Sequence, residues 1–502
     1  MTESETQNPK FKTPNSESEA IWQQGALLEL EISDLNHNGE GVGRSNGRVV
    51  FVPDTAPGDR LLVRLIRVKP QYAHGKIHEL LQASPHRIRP GCIVADKCGG
   101  CQWQHIDYDY QKTVKQNLII QDLERIGGFS HPPVNPLLPL PTPHSPLPTP
   151  HSPLLTPHSS LLTPHSPHSP HLHYRNKATY PLSRSTTTGQ VQAGYYQKGS
   201  HQLINLNQCP IQDERLNPLL AEIKQEIQQR GWSIYNEAKH QGKLRHLGLR
   251  IGRRSGEMLL TLVSKESSLE GLDEQAEVWL ERYPTLVGVC LNLNPDRTNA
   301  IFGRETHCIA GQPYLHEEFA GLTFQIQPTT FFQVNTEQAE SLLRFIQTEL
   351  SLQGHEVLVD AYCGVGTLTL PLAKQVKRTI GMEIQPEAIE QAKVNAALNQ
   401  INNVDFQAGS VEQLLPSLSV TPDVVLLDPP RKGCDRSVIN ALHAIQPHRI
   451  VYVSCNPATL ARDLKLLGNT YTLTVVQPAD FFPQTAHVEC AAFLTRQASE
   501  SI

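Results

Sequence analysis

The sequence lacks any long apolar run. No stretch within its 502 residues is apolar enough to cross a bilayer, which excludes a membrane-spanning protein and a membrane partner. The first twenty residues, MTESETQNPKFKTPNSESEA, contain no apolar core of a signal peptide, so we expect residues 1–20 to form a disordered tail. These absences predict a cytoplasmic protein. In that reducing compartment its ten cysteines are expected to be thiols, metal ligands or catalytic groups rather than disulfides.

The chain is also poor in aromatic residues and in excess positive charge. Aromatic residues make up 6% and the formal net charge is -5, so the whole chain lacks the basic excess that is typical of nucleic-acid-binding proteins. Two segments differ: residues 40–90 carry nine Lys or Arg against four acids, and KLRHLGLRIGRR spans Lys243–Arg254. One such run alone is typical of a solvated surface. Two of them make a polyanion-binding surface an equal alternative.

The length predicts several domains. Residues 21–83 alternate short β-like runs with Gly, Asn and Pro turns, which predicts a small, OB-like β-barrel. Residues 84–131 and 174–330 mix strand-like runs with a helical stretch and predict an α+β middle domain. In residues 331–502 strands and helices alternate, which predicts a Rossmann-like, doubly wound α/β domain.

Residues 132–173 repeat a seven-residue unit such as PTPHSPL. The period is that of a coiled coil, but the proline in every unit removes helical hydrogen bonds. We therefore expect a disordered, extended insert. Its regularly spaced histidines could bind metal weakly, although an expanded repeat without ligand geometry is the preferred interpretation; they are His144, His151, His158 and His165.

The segment VLVDAYCGVGTLTL has the order strand, Gly-rich turn, helix, with Gly364 and Gly366 in the turn. Many α/β domains need glycines there merely to turn, but Glu383 follows at the end of the next strand, where an acid accepts hydrogen bonds from a ribose diol. The third glycine of the dinucleotide fingerprint is replaced by Thr369. A nucleoside cofactor without a pyrophosphate, S-adenosylmethionine, therefore fits better than NAD or FAD.

Two further strands end in reactive groups. DVVLLDPPRKG ends in Asp428, and VYVSCNPATLARD ends in Cys455, so both side chains are expected at the ligand-binding edge of the sheet. Asn456 and Pro457 predict the start of a helix, whose dipole would lower the pKa of the thiol. The alternatives are a simple turn at Asp428 and an inert, buried Cys455.

The last strand-like run, TAHVECAAFL, supplies a candidate base. Strict alternation would place Thr485, His487 and Glu489 together on a polar face, where Glu489 is either a base or a solvent-facing strand residue. A thiolate, a carboxylate and a methyl donor together suit methylation of pyrimidine C5. That carbon becomes nucleophilic only when a thiolate adds to C6, and a base must then remove the C5 proton.

CIVADKCGGC adds a C-x5-C-x2-C cluster of Cys92, Cys98 and Cys101. A fourth ligand is best supplied by Cys209, since the remaining candidates lie in strand patterns or outside turn-rich loops. Four thiolates could hold zinc or an iron–sulfur cluster, and the spacing does not choose between them.

Taken together, SCNPATLARD, DPPRKG, DAYCGVGTLTLPLA, FFQVN and the terminal HVEC segment resemble the RNA 5-methyluridine methyltransferases, specifically the bacterial 23S rRNA (uracil-5-)-methyltransferase group. The resemblance implies Cys455 as nucleophile and Glu489 as base. It implies contacts with S-adenosylmethionine or the site by Gln333, Tyr362, Glu383 and Asp428. The family position after the third strand, often Asn or Asp, is Ser410 here, whose shorter side chain puts that contact in doubt.

The resemblance also extends to the rest of the chain. The four cysteines look the same as those that bind a 4Fe-4S cluster in this group. GEGVGR, GRVVFVPDTAPGDR and YAHGKIHELL resemble a TRAM domain, an RNA-binding module. A cytoplasmic monomer that methylates 23S rRNA is the resulting expectation, with tRNA as the second substrate.

Three other classes of protein share some of these features. A radical enzyme usually needs C-x3-C-x2-C next to the donor, whereas this cluster lies outside the doubly wound domain. A noncatalytic iron–sulfur RNA-binding protein would not require Cys455 and Glu489 together. A cytosine-5 enzyme would need an acid to activate the ring nitrogen.

Overall fold

The computed structural model describes residues 22–141 and 169–498. The predicted tail, residues 1–20, and most of the predicted insert lie outside these residues. The described chain divides into two compact units: one holds the residues up to Pro90 together with Gln102–Tyr110, and the other holds Gly91–Cys101 and the residues from Gln111 onward. None of the helices in these described ranges is long and apolar enough to span a bilayer.

The first unit is a closed five-stranded barrel with the order β1-β2-β3-β5-β4. Its strands are β1 (Leu27–Leu35), β2 (Gly41–Ser45), β3 (Arg48–Val52), β4 (Arg60–Val68) and β5 (Tyr72–Gln82). Alternate residues fill its interior, among them Ile32, Val50 and Val63, each fully buried. The barrel that the sequence predicts is thus confirmed, and its basic side chains Arg44, Arg67 and Lys76 are exposed.

The second unit begins its regular structure with α1 (Tyr108–Asp122), which starts in the first unit and continues as a π turn, Leu123–Gly127. A seven-stranded sheet follows, with the order β12-β11-β10-β9-β6-β7-β8; we call it the central sheet. Its strands are β6 (Lys177–Arg184), β7 (Val191–Tyr196), β8 (Leu203–Asn205), β9 (Leu244–Ile251), β10 (Met258–Ser264), β11 (Leu286–Leu293) and β12 (Glu305–Gly311). Helices α2 (Asn217–Gln229), preceded by a 3-10 turn at Glu214–Leu216, and α3 (Leu272–Arg282) pack on one face of this sheet.

The basic run Lys243–Arg254 is mostly the strand β9 rather than an exposed patch. Arg245, Arg250 and Arg253 are only 6%, 4% and 8% exposed. Arg245 donates to the carbonyls of Asn294, Asp296 and Thr298, so its charge stabilises a loop. The expectation that this run forms a solvated surface is therefore wrong for Arg245, Arg250 and Arg253.

A hairpin of β13 (Leu315–Phe319) and β14 (Leu322–Ile326) leads into a second seven-stranded sheet. Its order is β17-β16-β15-β18-β19-β21-β20, with β21 antiparallel to both neighbours and the remaining pairs parallel. Its strands are β15 (Val357–Ala361), β16 (Arg378–Glu383), β17 (Val404–Ala408), β18 (Val424–Leu427), β19 (Arg449–Ser454), β20 (Tyr471–Ala479) and β21 (Glu489–Arg496). This order confirms the predicted Rossmann-like fold, with an antiparallel edge that the sequence did not reveal.

Helices connect the parallel strands of this second sheet. They are α4 (Thr336–Leu350), α5 (Thr369–Ala373), α6 (Pro386–Leu398), α7 (Val411–Leu414) with a 3-10 turn at Leu415–Ser417, α8 (Arg436–Ile445) and α9 (Pro457–Leu467). Val425, Leu427 and Ile450 are fully buried beneath them. The four residues of β18 are thus apolar and buried, and the polar Asp428 follows where that strand ends.

Segments from early in the chain also pack against this sheet. Ile119 of α1 and Leu123 belong to the same buried cluster as β15 and β19. Lys115 Nζ lies 2.6 Å from Asp480 Oδ1, and both side chains are fully buried. Within the predicted insert, the backbone N–H of Asn135 donates to the carbonyl of Val476, so the start of that segment runs beside β20.

Candidate active site

Cys455 lies between the end of β19 and the start of α9. The side chain of Asn456 accepts a hydrogen bond from the N–H of Ala458, and Pro457 is the first helical residue, as the sequence predicts. The thiol is half-buried. Burial, followed by the nearby Glu489 and Asp428 carboxyls, raises the pKa of Cys455 to about 11. The prediction of a lowered thiol pKa is wrong for the free protein.

Glu489 is the first residue of β21 and lies opposite Cys455. Ser454 of β19 pairs with Cys490 of β21. Because the two strands are antiparallel, Cys455, which follows Ser454, lies opposite Glu489, which precedes Cys490. Burial raises the pKa of the Glu489 carboxyl well above its usual range, Asp428 adds to this, and Arg431 opposes it.

The predicted polar face of the last strand is not observed. Thr485 and His487 precede β21, whose first six residues are buried whichever way they point. Glu489 itself is 8% exposed. Strict alternation failed because β21 lies between two neighbouring strands and is covered on both sides.

Asp428 follows β18 at the same edge of the sheet. Burial, with the charge of Asp360 adding to it, raises the pKa of Asp428 to about 7. Asp360 in β15 is itself buried and accepts a hydrogen bond from the Thr369 hydroxyl at 2.5 Å. Cys455, Glu489 and Asp428 thus lie close enough to influence one another, and Asp360 extends the group towards the Gly-rich turn.

The Gly-rich turn brings Tyr362 and Glu383 together. The N–H of Tyr362 donates to the carbonyl of Met382, and Tyr362 has a positive φ of 77°. Glu383 accepts from the N–H of Gly364 at 3.3 Å and from the N–H of Gln385 at 2.9 Å. The carboxylate is therefore fixed at the turn, in the position from which an acid accepts hydrogen bonds from a ribose diol in such folds. Ser410 lies after β17, where it precedes α7.

Gln333 lies on the loop before α4. Asn176 holds this loop, because its side chain donates to the carbonyl of Gln333 at 2.8 Å and its N–H donates to the carbonyl of Val334. Asn335 caps α4 and also donates to the carbonyl of Phe481, in the segment that leads to Glu489. These bonds fix the backbone of Gln333; they do not join its side chain to Cys455 or Glu383.

Two further residues of this region were not singled out from the sequence. Arg431 lowers the pKa values of Cys455 and Glu489, and its carbonyl accepts from the side chain of Asn456 at 3.0 Å. Phe331, two residues before Gln333, is 73% exposed. The DPPRKG and FFQVN runs that carry them were the available signal.

The four cysteines lie in the second unit. Cys98, Cys101 and Cys209 are buried and Cys92 is half-buried. The N–H of Gly100 points at the Cys98 sulfur at 3.4 Å, and burial, with Cys92 and Cys98 adding to it, raises the pKa of Cys209 to about 11. The thiols are neighbours, yet the described ranges contain no group of three or more His, Cys, Asp or Glu side chains placed to hold a metal ion.

Comparison with known proteins gives the family. Residues 160–497 match the model of the tRNA (uracil-5-)-methyltransferases, and residues 22–78 match that of the TRAM domain. An uncharacterized RNA methyltransferase of Nostoc is 64% identical over 484 residues, which are 96% of this chain and 99% of the relative. One of Synechocystis is 57% identical over 97% of this chain and 99% of the relative.

A solved structure is similar over nearly the whole chain. It is the tRNA (uracil-54, C5)-methyltransferase of Pyrococcus abyssi in complex with S-adenosyl-L-homocysteine, with a TM-score of 0.70 and 27% identity, covering 93% of this chain and all of that one. A barrel that matches the TRAM model, a methyltransferase sheet and these relatives agree. The chain therefore belongs to the tRNA (uracil-5-)-methyltransferase family and is an RNA methyltransferase.

Proposed function

We propose that this protein transfers a methyl group from S-adenosylmethionine to C5 of a uracil in 23S rRNA. The observation that carries the proposal is the position of Cys455 opposite Glu489, beside Asp428, at the edge of the sheet that also holds the Glu383 turn. A thiol and a buried carboxyl facing each other are the two groups that C5 methylation requires.

In this mechanism the Cys455 sulfur adds to C6 of the uracil, and the π electron pair of the C5–C6 double bond moves into an enolate. Bound S-adenosylmethionine would supply the methyl group that C5 takes up and leave as S-adenosylhomocysteine. Glu489 then removes the C5 proton, the C5–C6 double bond re-forms and the C6–sulfur bond breaks. Cys455 is released as thiolate and Glu489 holds the proton.

The electrostatics of the free protein keep this site inactive until the base is bound. The raised pKa values of Cys455 and Glu489 favour the neutral thiol and the neutral carboxyl near pH 7. Arg431 favours both ionised forms. We infer that both groups ionise only after the uracil has turned out of the RNA into this site, where hydrogen bonds from the bound base add to the effect of Arg431.

The donor is assigned to the Gly-rich turn. Glu383 fits a ribose diol because its carboxylate is fixed by two N–H groups. Tyr362 lies in the turn, Gln333 lies on the loop before α4, and Asp428 lies between turn and thiol. These four residues are proposed as donor or site contacts.

The substrate is tested by trapping. Uracil with fluorine at C5 cannot lose a C5 proton, so RNA containing 5-fluorouracil should remain covalently bound to the protein when labelled donor is present. Cys455→Ala should give no complex. A wild-type protein that forms none with 23S rRNA, tRNA or total RNA would overturn the proposal.

tRNA is the second candidate substrate. It is favoured by the description of the family model and by the named activity of the Pyrococcus abyssi enzyme. 23S rRNA is favoured by the resemblance that combines the barrel with the four cysteines. Mapping 5-methyluridine in both RNAs from a deletion strain distinguishes them, because the modified position is lost from only one.

We further propose that Cys92, Cys98, Cys101 and Cys209 hold a 4Fe-4S cluster. Three of these thiols are buried, and the N–H group of Gly100 points at the Cys98 sulfur, which suits a ligating thiolate. Methyl transfer needs no electron, so the cluster would stabilise the fold or an RNA contact. The working form is proposed to be a cytoplasmic monomer, which sedimentation of the purified protein would check.

A further inference from the structure

The two faces of the central sheet differ in chemistry. Helices α2 and α3 cover one face with an apolar core that includes Tyr180 and Leu247. The alternate residues of β6 and β9 lie on the other face. Three cross-strand pairs follow one another there: Lys177 with Arg250, Thr179 with Gly248, and Pro181 with His246.

Two basic side chains, Lys177 and Arg250, lie side by side on this second face. Burial, and then the adjacent charge of Arg250, lowers the pKa of Lys177 to about 6. Arg250 is 4% exposed, and within residues 22–141 and 169–498 neither its Nε nor His246 Nδ1 has a hydrogen-bond partner. Glu317 is the acid that acts on Arg250, but its oxygens accept from backbone N–H groups and a hydroxyl elsewhere. Buried donors without partners are uncommon, which points to a ligand.

An aromatic ring accompanies these cations. The Lys177 ammonium lies 5.0 Å from the centre of the Phe302 ring. A Cβ atom at Gly248 would come within 3.7 Å of that ring, so the ring lies over the sheet. Cations beside an aromatic ring are the usual surface for a nucleic-acid strand.

This face is continuous with the loop that carries Gln333. Lys177 Nζ donates to the carbonyl of Pro328 at 3.4 Å, and Arg250 donates to the carbonyl of Thr330 at 2.5 Å. Exposed Phe331 follows directly. A strand of RNA that reached the methylation site could therefore pass over Lys177.

We propose that Lys177 and Arg250, which are paired on the second face of the central sheet, bind a backbone phosphate of the substrate RNA close to the target uracil. The inference rests on the proposed function, because it assumes an RNA substrate. It adds a binding surface outside the methyltransferase sheet. A phosphate there would accept a hydrogen bond from Arg250 Nε, which has no partner among the described residues, and its charge would raise the pKa of Lys177 and restore the ammonium form in the complex.

The test replaces Lys177 by methionine, which keeps the length of the side chain and removes the charge. Affinity for a 23S rRNA fragment and for tRNA is measured between low and moderate salt, together with affinity for S-adenosylmethionine. Lys377→Met is the matched control, since Lys377 is exposed at the opposite edge of the methyltransferase sheet from Glu383. Lys177→Arg restores the charge.

We expect Lys177→Met to weaken RNA binding about tenfold and to reduce the slope of log K against log salt by about 0.7 to 0.9. Donor binding should not change, and the control and Lys177→Arg should behave as wild type. An unchanged salt slope in Lys177→Met overturns the inference. Failure of the proposed function gives a different result: the wild-type protein would form no 5-methyluridine, and this holds for any salt dependence of its RNA affinity.

Discussion

Cys455 and Glu489 face each other across the ends of β19 and β21, one residue beyond the Ser454–Cys490 pair. The antiparallel edge of the sheet creates this relationship, since a parallel β21 would carry Glu489 to the far edge. The last strand is therefore what joins nucleophile and base.

Glu489→Gln should separate the two halves of the reaction. The amide cannot remove the C5 proton, so the covalent RNA adduct should accumulate while turnover falls by about 100- to 10,000-fold. Gel shift under denaturing conditions and product counting measure the two effects. Cys455→Ala is the control, because it should form neither adduct nor product; a Glu489→Gln variant with normal turnover would remove Glu489 from the mechanism.

The rate should rise with pH. The raised pKa of Cys455, about 11, leaves little thiolate at neutral pH, and Glu489 must also lose a proton before it acts as a base. Deprotonation of either group therefore increases the rate, and single-turnover rates should rise from about pH 6 to about pH 9. Arg431→Gln should move the profile to higher pH. A flat or falling profile in wild type would contradict this assignment.

Glu383→Gln should weaken donor binding. The charged carboxylate is replaced by an amide with one acceptor, so affinity for S-adenosylmethionine should fall by about 10- to 100-fold in calorimetric titration. Glu387→Gln, an exposed position in the first turn of α6, is the control and should bind as wild type. Equal affinities of both variants would show that Glu383 makes no donor contact.

Lys115→Ala should destabilise the protein strongly. It leaves the fully buried Asp480 carboxylate without its partner, which costs about 3 to 5 kcal/mol in the free energy of unfolding. The double variant Lys115→Met, Asp480→Asn should recover part of this loss. Denaturant titration checks both, and a Lys115→Ala midpoint equal to that of wild type would contradict the expectation.

Cys98→Ala should abolish the proposed cluster. Protein purified without oxygen is expected to contain about four iron and four sulfide ions per chain, and the variant should lose them. Cys308→Ala changes an exposed cysteine of β12 and should keep them. Zinc in place of iron, or no metal in wild type, would refute the proposal.

The order of strands and helices could be predicted because each element carries its own signal. The VYVS run, Asn456 and Pro457 define a strand, a cap and a helix within a few residues. The burial of Arg250 could not be predicted, since the sequence of a basic run is the same whether the run is exposed or lies in a buried strand. Only the pairing of β9 between β6 and β10 distinguishes them.

The burial of the candidate site could also not be predicted from the residues next to it in the sequence. The residue types and the shared edge of Cys455 and Asp428 followed from strand ends. Their raised pKa values come from burial and from carboxyls on other strands, Glu489 of β21 and Asp360 of β15. A helix dipole is visible in the sequence, but the loss of water around a thiol is not.

Asn176 directly precedes β6 and Arg250 lies in β9, yet they hold the backbone of the loop from Thr330 to Val334. The catalytic half is consequently not a self-sufficient module. A chimera that joined residues 331–502 to another RNA-binding scaffold would need both hydrogen-bonding side chains rebuilt, or the loop carrying Gln333 would lose its support.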